Sequence, residues 1–205
     1  MKKYFLAGIV LVVLLTSAVT TSTIIFEDHF VENENGWSLG TDDWCTSKIT
    51  NGKLYYEGTA YIKNEGGSTW LTVPDLKLPM TGFTVKCNTK WVKHTEKDDT
   101  YYGYGFAIGE YYFLLYGYGD RRLLFYNTTE EKYETIVDWG ETTFVKKYTE
   151  ANDIKIVYKD GKAAFYCNGE MLYKKEIKIT EADKLKIYVE ESEAVEFDDL
   201  IVTKD

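Results

Sequence analysis

The stretch NDIKIVYKDGKAAFYCNGEML, residues 152–172, contains three short runs in which apolar residues alternate with polar ones. Two dipeptides separate these runs, Asp160-Gly161 and Asn168-Gly169. Both central residues of a type I′ turn need a positive φ, which Asn, Asp and Gly adopt most readily. The stretch therefore predicts three antiparallel strands joined by two tight hairpins.

The same pattern extends over most of the chain. Asn51-Gly52 marks another hairpin, and alternating runs recur from KLYYEG, which begins at Lys53, to VEFDDLIVT, which ends at Thr203. After the first 23 residues, no long stretch has the apolar spacing of a helix. Many short strands separated by turns are typical of a two-sheet sandwich or a barrel. We predict an all-β protein built as a two-sheet antiparallel jelly-roll sandwich.

The first 23 residues have the pattern of an export signal. Lys2 and Lys3 precede an apolar run from Tyr4 to Leu15, and small residues follow it. This run is shorter than the ~20 residues of a membrane-spanning helix. We therefore expect a cleaved signal peptide over 1–23, with an uncleaved signal anchor as the alternative, and a single domain over 24–205. The protein is then secreted or extracytoplasmic, in the periplasm or at the cell surface, and meets a membrane only if the signal is retained.

The charge balance narrows the class of ligand. The chain has 33 acidic and 24 basic residues, which give a net charge of −9. Such a surface repels phosphate backbones and anionic polysaccharides. Nucleic acid is therefore not an expected partner, and a neutral glycan is favoured.

Three cysteines, Cys45, Cys87 and Cys167, permit at most one intramolecular disulfide. Cys87 and Cys167 alternate in phase with apolar neighbours, so both are expected to point inward. They are either buried free thiols or a Cys87–Cys167 bridge.

Four segments carry a family resemblance through their order along the chain: IIFEDHFVENENGW from residue 24, YYGYGFAIGEYYFLLY from residue 101, the 152–172 stretch, and VEFDDLIVT from residue 195. The chain from about Ile24 to Thr203 resembles the concanavalin A-like lectin/glucanase superfamily, in particular its laminin-G-like and glucanase-like bacterial secreted modules. The resemblance implies a jelly roll whose first and last strands lie near each other. That superfamily contains sugar binders, glycosidases and modules without a known ligand, so the fold alone does not fix the function.

The tyrosine-rich stretch GYGFAIGEYYFLLYGYGD, residues 103–120, carries the candidate ligand site. If Gly109-Glu110 and Gly119-Asp120 are two-residue turns, one sheet face carries a trough of small residues flanked by rings, because opposed residues share a face. A tyrosine ring covers the apolar side of a pyranose while its hydroxyl forms hydrogen bonds. The residues predicted to bind a glycan are Tyr101, Tyr112, Tyr116, Tyr118, Arg121 and Trp139. The alternative is that these aromatic residues serve packing only.

Counting residues from the Gly119-Asp120 turn also predicts which side chains of the next strand share each face. It predicts that Leu123 and Phe125 share the candidate ligand face and that Leu124 and Tyr126 point into the core. Among the tryptophans, Trp37 and Trp91 are expected to be structural, whereas Trp44 and Trp70 lie near turns or strand ends, where an exposed ring could stack on a sugar.

No catalytic residue is assigned. Laminarinase-type relatives carry Glu-x-Asp-x(-x)-Glu on one strand, and the Glu-x-Asp segments that begin here at Glu96, Glu181 and Glu196 lack the second Glu. We therefore predict a non-catalytic, lectin-like module. The enzyme alternative is a glycoside hydrolase with carboxylates from separate strands, or a jelly-roll polysaccharide lyase around Arg121-Arg122. A surface protein-interaction module with no sugar ligand is the third hypothesis.

Four carboxylates form the candidate metal site, Glu27, Asp28, Asp198 and Asp199. They would meet if the terminal strands are neighbours, as the resemblance implies, and carboxylate oxygens are the ligands of a structural Ca²⁺. The alternative is that they are strand-end carboxylates that accept backbone and lysine hydrogen bonds. No other cofactor is predicted.

Overall fold

The computed structural model describes residues 22–58, 68–94, 103–116, 119–147, 149–190 and 193–204. Over these residues the chain forms β-strands and no α-helix. No helix that could cross a membrane is found in this part of the chain. The strands are β1 (Thr23–Asp28), β2 (Gly40–Thr41), β3 (Cys45–Thr50), β4 (Lys53–Gly58), β5 (Ser68–Thr72), β6 (Gly82–His94), β7 (Tyr104–Ile108), β8 (Tyr111–Tyr116), β9 (Asp120–Asn127), β10 (Lys132–Glu141), β11 (Ala151–Lys159), β12 (Lys162–Cys167), β13 (Glu170–Glu176), β14 (Leu185–Glu190) and β15 (Glu193–Lys204).

The three predicted Asx-Gly hairpins are confirmed. Asn51-Gly52 joins β3 to β4, Asp160-Gly161 joins β11 to β12, and Asn168-Gly169 joins β12 to β13. Every one of these six residues has a positive φ, between 50° and 89°. This is the conformation that a type I′ turn requires of both central residues.

The strands form two antiparallel sheets. The nine-stranded sheet has the order β13-β12-β11-β6-β15-β4-β3-β2, and β1 also pairs with β15. The six-stranded sheet has the order β10-β9-β8-β7-β14-β5. The predicted all-β, two-sheet antiparallel sandwich is confirmed, and so is the expected proximity of the first and last strands.

The main hydrophobic core lies between the two sheets. Phe106 and Phe113 of the six-stranded sheet meet Phe197 and Phe165 of the nine-stranded sheet, with ring centroids 6.0 and 5.9 Å apart. All four phenylalanine side chains are fully buried. Because side chains alternate along a strand, the residues between these core positions on β7, β8 and β14 point away from the core.

The cysteines are free thiols, and Cys87 and Cys167 are buried. Cys87 of β6 and Cys167 of β12 both lie opposite Ile154 of the intervening strand β11. Two strand spacings separate their backbones by about 9.5 Å, whereas a disulfide needs Cα atoms within about 7 Å. Of the two alternatives, the structure therefore supports buried thiols.

The predicted register is confirmed for β7 and β8 and wrong for β9. Ile108 faces Tyr111 across the Gly109-Glu110 turn, as expected. At the next turn Tyr116 faces Asp120, so the connection is three residues long and does not consist of Gly119-Asp120. An odd shift in register exchanges the two faces of a strand.

Candidate functional site

A second aromatic surface lies on the outer face of the six-stranded sheet, which is the face turned away from the nine-stranded sheet. On β14, Leu185, Ile187 and Val189 belong to the main core, so Lys186, Tyr188 and Glu190 point outward. Strand pairing places the outward residues of β7, β8, β9 and β10 beside them. We call this surface the tyrosine face and define it by Gly105, Ala107, Tyr112, Leu114, Arg122, Leu124, Tyr126, Tyr133, Tyr188 and Glu190.

Four tyrosine rings follow one another across this face. Tyr188 and Tyr112 meet edge to face with ring centroids 4.9 Å apart. Tyr112 and Tyr133 are 5.5 Å apart, and Tyr133 and Tyr126 are 5.0 Å apart. Tyr112 and Tyr188 are buried in a small cluster with Ala107, Leu114 and Leu124, whereas Tyr133 is 46% exposed. Tyr133, which lies between Tyr112 and Tyr126, is therefore the most accessible ring of the row.

Small residues on β7 make room for these rings. Gly105 lies opposite Tyr188 on one side and Leu114 on the other. A Cβ atom at Gly105 would lie 2.2 Å from the carbonyl oxygen of Phe113, and its φ of 152° is one that L-residues rarely adopt. Glycine at position 105 is therefore required by the close approach of the β8 backbone, and the small residues expected to form a trough are buried.

Polar groups complement the rings. Arg122 donates a hydrogen bond from Nη2 to Thr135 Oγ1 at 2.9 Å, and its Nε lies 3.9 Å from the Asp138 carboxylate. Tyr188 donates its hydroxyl hydrogen to Glu190 Oε1 at 3.2 Å, and the Gly103 amide donates to Glu190 Oε2. Burial raises the pKa of Glu190 to about 7, although these donors and the charge of Arg122 act in the opposite direction. The face therefore carries a guanidinium and a carboxyl that titrates near neutral pH.

An exposed tryptophan marks one edge of the tyrosine face. Trp70 of the edge strand β5 lies directly opposite Tyr188 and is 52% exposed. The ammonium group of Lys186 lies 5.2 Å from the centre of the Trp70 ring. The aromatic surface thus continues from the buried tyrosines to a solvent-exposed indole.

The predicted ligand residues do not lie together on one face of the structure. Tyr112 lies on the tyrosine face, but its ring is packed into the buried cluster. Tyr116 belongs to the main core, with its ring centroid 6.0 Å from that of Trp91. Arg121 shares the core-facing side of Leu115 and donates a hydrogen bond to the Gly140 carbonyl at 2.8 Å. Tyr101 and Tyr118 lie outside the described residues, as does the side chain of Trp139.

Sequence reasoning missed several residues of this face. The corrected β9 register turns Arg122, Leu124 and Tyr126 outward and Leu123 inward, the reverse of the prediction. Tyr188 and Glu190 were not singled out, because their strand alternates like any core strand. Its pairing with β7 joins residues about 80 positions apart, which no local turn reveals.

The four predicted metal ligands lie on the paired terminal strands, and Asp28 has a structural role there. Asp28 is buried; its Oδ1 accepts a hydrogen bond from the Phe30 amide, and its Oδ2 accepts bonds from Trp37 Nε1 and Asn35 Nδ2. Trp37 is buried, as expected for a structural tryptophan. Within the described part of the chain, no group of three or more His, Cys, Asp or Glu side chains is placed to hold a metal ion.

His29 occupies the space between the other carboxylates. Its Nδ1 lies 2.6 Å from Asp199 Oδ1, and its Nε2 lies 3.1 Å from Glu27 Oε1. The hydrogen bond to Asp199 and the two negative charges raise the pKa of His29 above its ordinary value. Asp198 Oδ1 accepts a hydrogen bond from the Asp199 amide. When His29 is protonated, its positive charge lies between Glu27 and Asp199. Calcium binding at this place stays a prediction.

Comparison with solved structures identifies the fold. Carbohydrate-binding module CBM66 from Bacillus subtilis superposes with a TM-score of 0.56 and 8% identity, over 80% of this chain and 93% of that one. The carbohydrate recognition domain of Emp46p in its potassium-bound form gives a TM-score of 0.57 and 12% identity, over 81% and 87% of the two chains. An alginate lyase of polysaccharide lyase family 7 gives 0.56 and 12%, over 82% and 86%.

At such low identities the likeness concerns the fold. No protein-family model matches the sequence, and none of the curated proteins matches it. The chain therefore has a two-sheet jelly-roll sandwich similar to those of carbohydrate-binding modules and alginate lyases, as the concanavalin A-like resemblance implied.

Proposed function

We propose that the protein is a secreted, non-catalytic carbohydrate-binding module that binds a neutral glycan along the tyrosine face. The observation that carries this proposal is the row of four tyrosine rings on the outer face of the six-stranded sheet. Tyr133 of this row is exposed, and so is Trp70 at the edge of the face. Solved structures that share the fold include proteins named as carbohydrate-binding modules and a carbohydrate recognition domain.

The chemistry of the face suits a sugar. Exposed aromatic rings cover the C–H side of a pyranose, and phenol, guanidinium and carboxyl groups exchange hydrogen bonds with its hydroxyls. The buried rings Tyr112 and Tyr188 hold the surface rigid, so that little side-chain entropy is lost on binding. Weak, enthalpy-driven binding is expected from such a shallow, pre-formed surface.

Electrostatics favour a neutral ligand. The chain has a net charge of −9, which disfavours uronates and sulfated polysaccharides. On the tyrosine face itself, the positive charge of Arg122 has the Asp138 carboxylate beside it. An anionic sugar would therefore have to compete with this carboxylate for the guanidinium.

A glycan array and affinity gels containing neutral or anionic polysaccharides test the proposal directly. We expect retention on at least one neutral polysaccharide and no retention on alginate or pectate. Binding only to anionic polysaccharides would contradict the neutral-ligand proposal, and absence of binding across the whole panel would contradict a carbohydrate-binding function.

One observation favours a second candidate function, cleavage of a polysaccharide. Glu190 has a pKa of about 7 and hydrogen-bonds to Tyr188, so it could act as a general acid near neutral pH. Glycoside hydrolysis normally needs a second carboxylate at a defined separation, and Glu190 is the only carboxyl among the residues that define the tyrosine face. If the wild-type protein releases reducing ends from a polysaccharide and Glu190→Gln does not, the protein is an enzyme that depends on Glu190. If Glu190→Gln releases them at the wild-type rate, Glu190 has no part in the reaction.

A further inference from the structure

A pocket at the open edge of the sandwich lies apart from the centre of the tyrosine face. It has a volume of about 320 Å³, near the lower end of the ~300–1,000 Å³ typical of small-molecule sites. It lies where the edge strand β5 of the six-stranded sheet meets β3 and β4 of the nine-stranded sheet. The described residues that line it are Asp42, Trp44, Cys45, Tyr56, Thr69 and Trp70.

Two exposed indoles flank this pocket. Trp44 is 49% exposed and Trp70 is 52% exposed, whereas Trp37 and Trp91 are only 3% exposed. Leaving two large apolar rings in solvent forgoes the free energy of burying them. Rings that are exposed together at one opening are typical of a surface that a ligand covers.

A turn at Asp42 forms part of the pocket lining. Asp42 Oδ1 accepts hydrogen bonds from the amides of Trp44 and Cys45, both at 2.8 Å. These bonds hold the pKa of Asp42 below its ordinary value, so its carboxylate is charged at neutral pH. The turn thus fixes the Trp44 backbone and presents a carboxylate beside the indoles.

The back of the pocket carries hydroxyl and thiol groups. Tyr56, Thr69 and Cys45 line the pocket together, and burial raises the pKa of Tyr56, so it stays a neutral phenol. Thr69 also donates to the Val189 carbonyl at 3.3 Å. These groups fix the shape of the pocket.

We infer that this pocket is a second binding site, which takes a single neutral pyranose residue. One indole stacks on the apolar face of the ring, and the Asp42 carboxylate accepts hydrogen bonds from two of its hydroxyls. The negative charge of Asp42 excludes uronic acids and other anionic sugars. This inference does not rest on the proposed function of the tyrosine face, because a pocket that binds one sugar could exist without glycan binding at that face.

The probe is a set of methyl glycosides of neutral hexoses, with glucuronic acid as the charged comparison. Binding is followed on the ¹⁵N-labelled protein through the indole N–H resonances of Trp44 and Trp70. We expect saturable shifts of both resonances with at least one neutral glycoside and none with glucuronic acid. If no glycoside in the set moves either resonance, or if glucuronic acid binds as tightly as the neutral sugars, the inference is wrong.

Variants locate the site. Trp44→Ala should abolish binding of the glycoside. Asp42→Asn should weaken it about tenfold, because an amide keeps the turn but loses the charged acceptor. Phe144→Ala removes a comparably exposed ring elsewhere and should leave the affinity unchanged. Wild-type affinity in both Trp44→Ala and Asp42→Asn would overturn the inference.

Tyr133→Ala separates this site from the tyrosine face. We expect it to leave glycoside binding at the pocket unchanged, even if it weakens binding of a polysaccharide. Loss of glycoside binding in Tyr133→Ala with retention in Trp44→Ala would move the sugar to the tyrosine face and contradict the pocket. Trp70 is not used for this comparison, since it borders both surfaces.

Discussion

The rings of Tyr112 and Tyr188 meet edge to face 4.9 Å apart on the outer face of the six-stranded sheet, across strand β7. They can do so because Gly105 and Ala107 of β7 present almost no side chain between them. The small residues and the large rings are thus parts of one arrangement, and its consequence is a rigid aromatic surface on the side of the sheet that the main core does not use.

Gly105→Ala should destabilise the protein by more than about 2 kcal/mol. The new Cβ atom would lie 2.2 Å from the Phe113 carbonyl oxygen, so strands β7 and β8 would have to separate. Thermal or urea unfolding measures the effect. Gly169→Ala is the matched control, because its φ of 89° is also unfavourable but nothing lies within 4 Å of the new atom. It should cost only about 1 kcal/mol, and an equal loss in the two variants would contradict the close contact at Gly105.

The stability of the protein should fall as the pH rises above about 5. Burial raises the pKa of Glu190 to about 7 and that of the buried Glu193 to about 8. Between the ordinary carboxyl pKa and these values, the folded state binds more protons than the unfolded state, so the free energy of unfolding decreases with pH. Urea unfolding at pH 5 and pH 8.5 measures this difference.

The variants Glu190→Gln and Glu193→Gln test whether these two carboxyl groups cause the pH dependence of stability. Each amide is uncharged at every pH, so the double variant should show a smaller stability difference between pH 5 and pH 8.5 than the wild type. A wild-type pH dependence in the double variant would mean that other groups are responsible.

The thiols should differ in their reactivity. Cys45 is partly buried and borders the edge pocket, whereas Cys87 and Cys167 are buried. Burial raises the pKa of all three thiols, so access of the reagent decides the difference between them. A thiol reagent should therefore modify Cys45 in the native protein and all three cysteines after denaturation without reductant. Fewer than three reactive thiols in denaturant would reveal a disulfide, which the strand spacing between Cys87 and Cys167 does not allow.

Calcium binding between the terminal strands can be tested through His29. The side chain of His29 lies between Glu27 and Asp199, and its raised pKa reflects these contacts. An ion bound by the carboxylates would displace the imidazolium, so Ca²⁺ should lower the pKa of His29 in an NMR titration. Asp199→Asn should lower it without the ion. A His29 pKa that does not respond to millimolar Ca²⁺ would contradict calcium at this place.

Local signals in the sequence were sufficient for much of the fold. Asx-Gly pairs fixed three hairpins, and counting from Gly109-Glu110 gave the correct register of β7 against β8. Counting from the next glycine failed, because the connection between Tyr116 and Asp120 is one residue longer than a two-residue turn. With a side-chain period of two, that error assigned Arg121 instead of Arg122 to the outer face.

The candidate sites depend on long-range pairing, which the sequence does not reveal. Tyr188 joins the tyrosine face because β14 inserts between β7 and β5. Trp44 and Trp70 come together because the edges of two different sheets meet. Each tryptophan lies beside a turn or on a short strand, so exposure could be suspected from sequence, but their proximity could not.

Glycan binding at the tyrosine face is tested most directly by the affinity of Tyr133→Ala. Tyr133 is the most exposed ring of the tyrosine row and is not a member of the buried cluster, so the variant removes ligand contact and keeps every residue of that cluster. Calorimetry would use a polysaccharide that retains the wild-type protein in the affinity gels. It would compare the affinity of Tyr133→Ala with that of Phe144→Ala, which removes an exposed ring elsewhere. We expect affinity to fall at least about tenfold in Tyr133→Ala and to stay at the wild-type value in Phe144→Ala. Wild-type affinity in Tyr133→Ala would contradict glycan binding at this face.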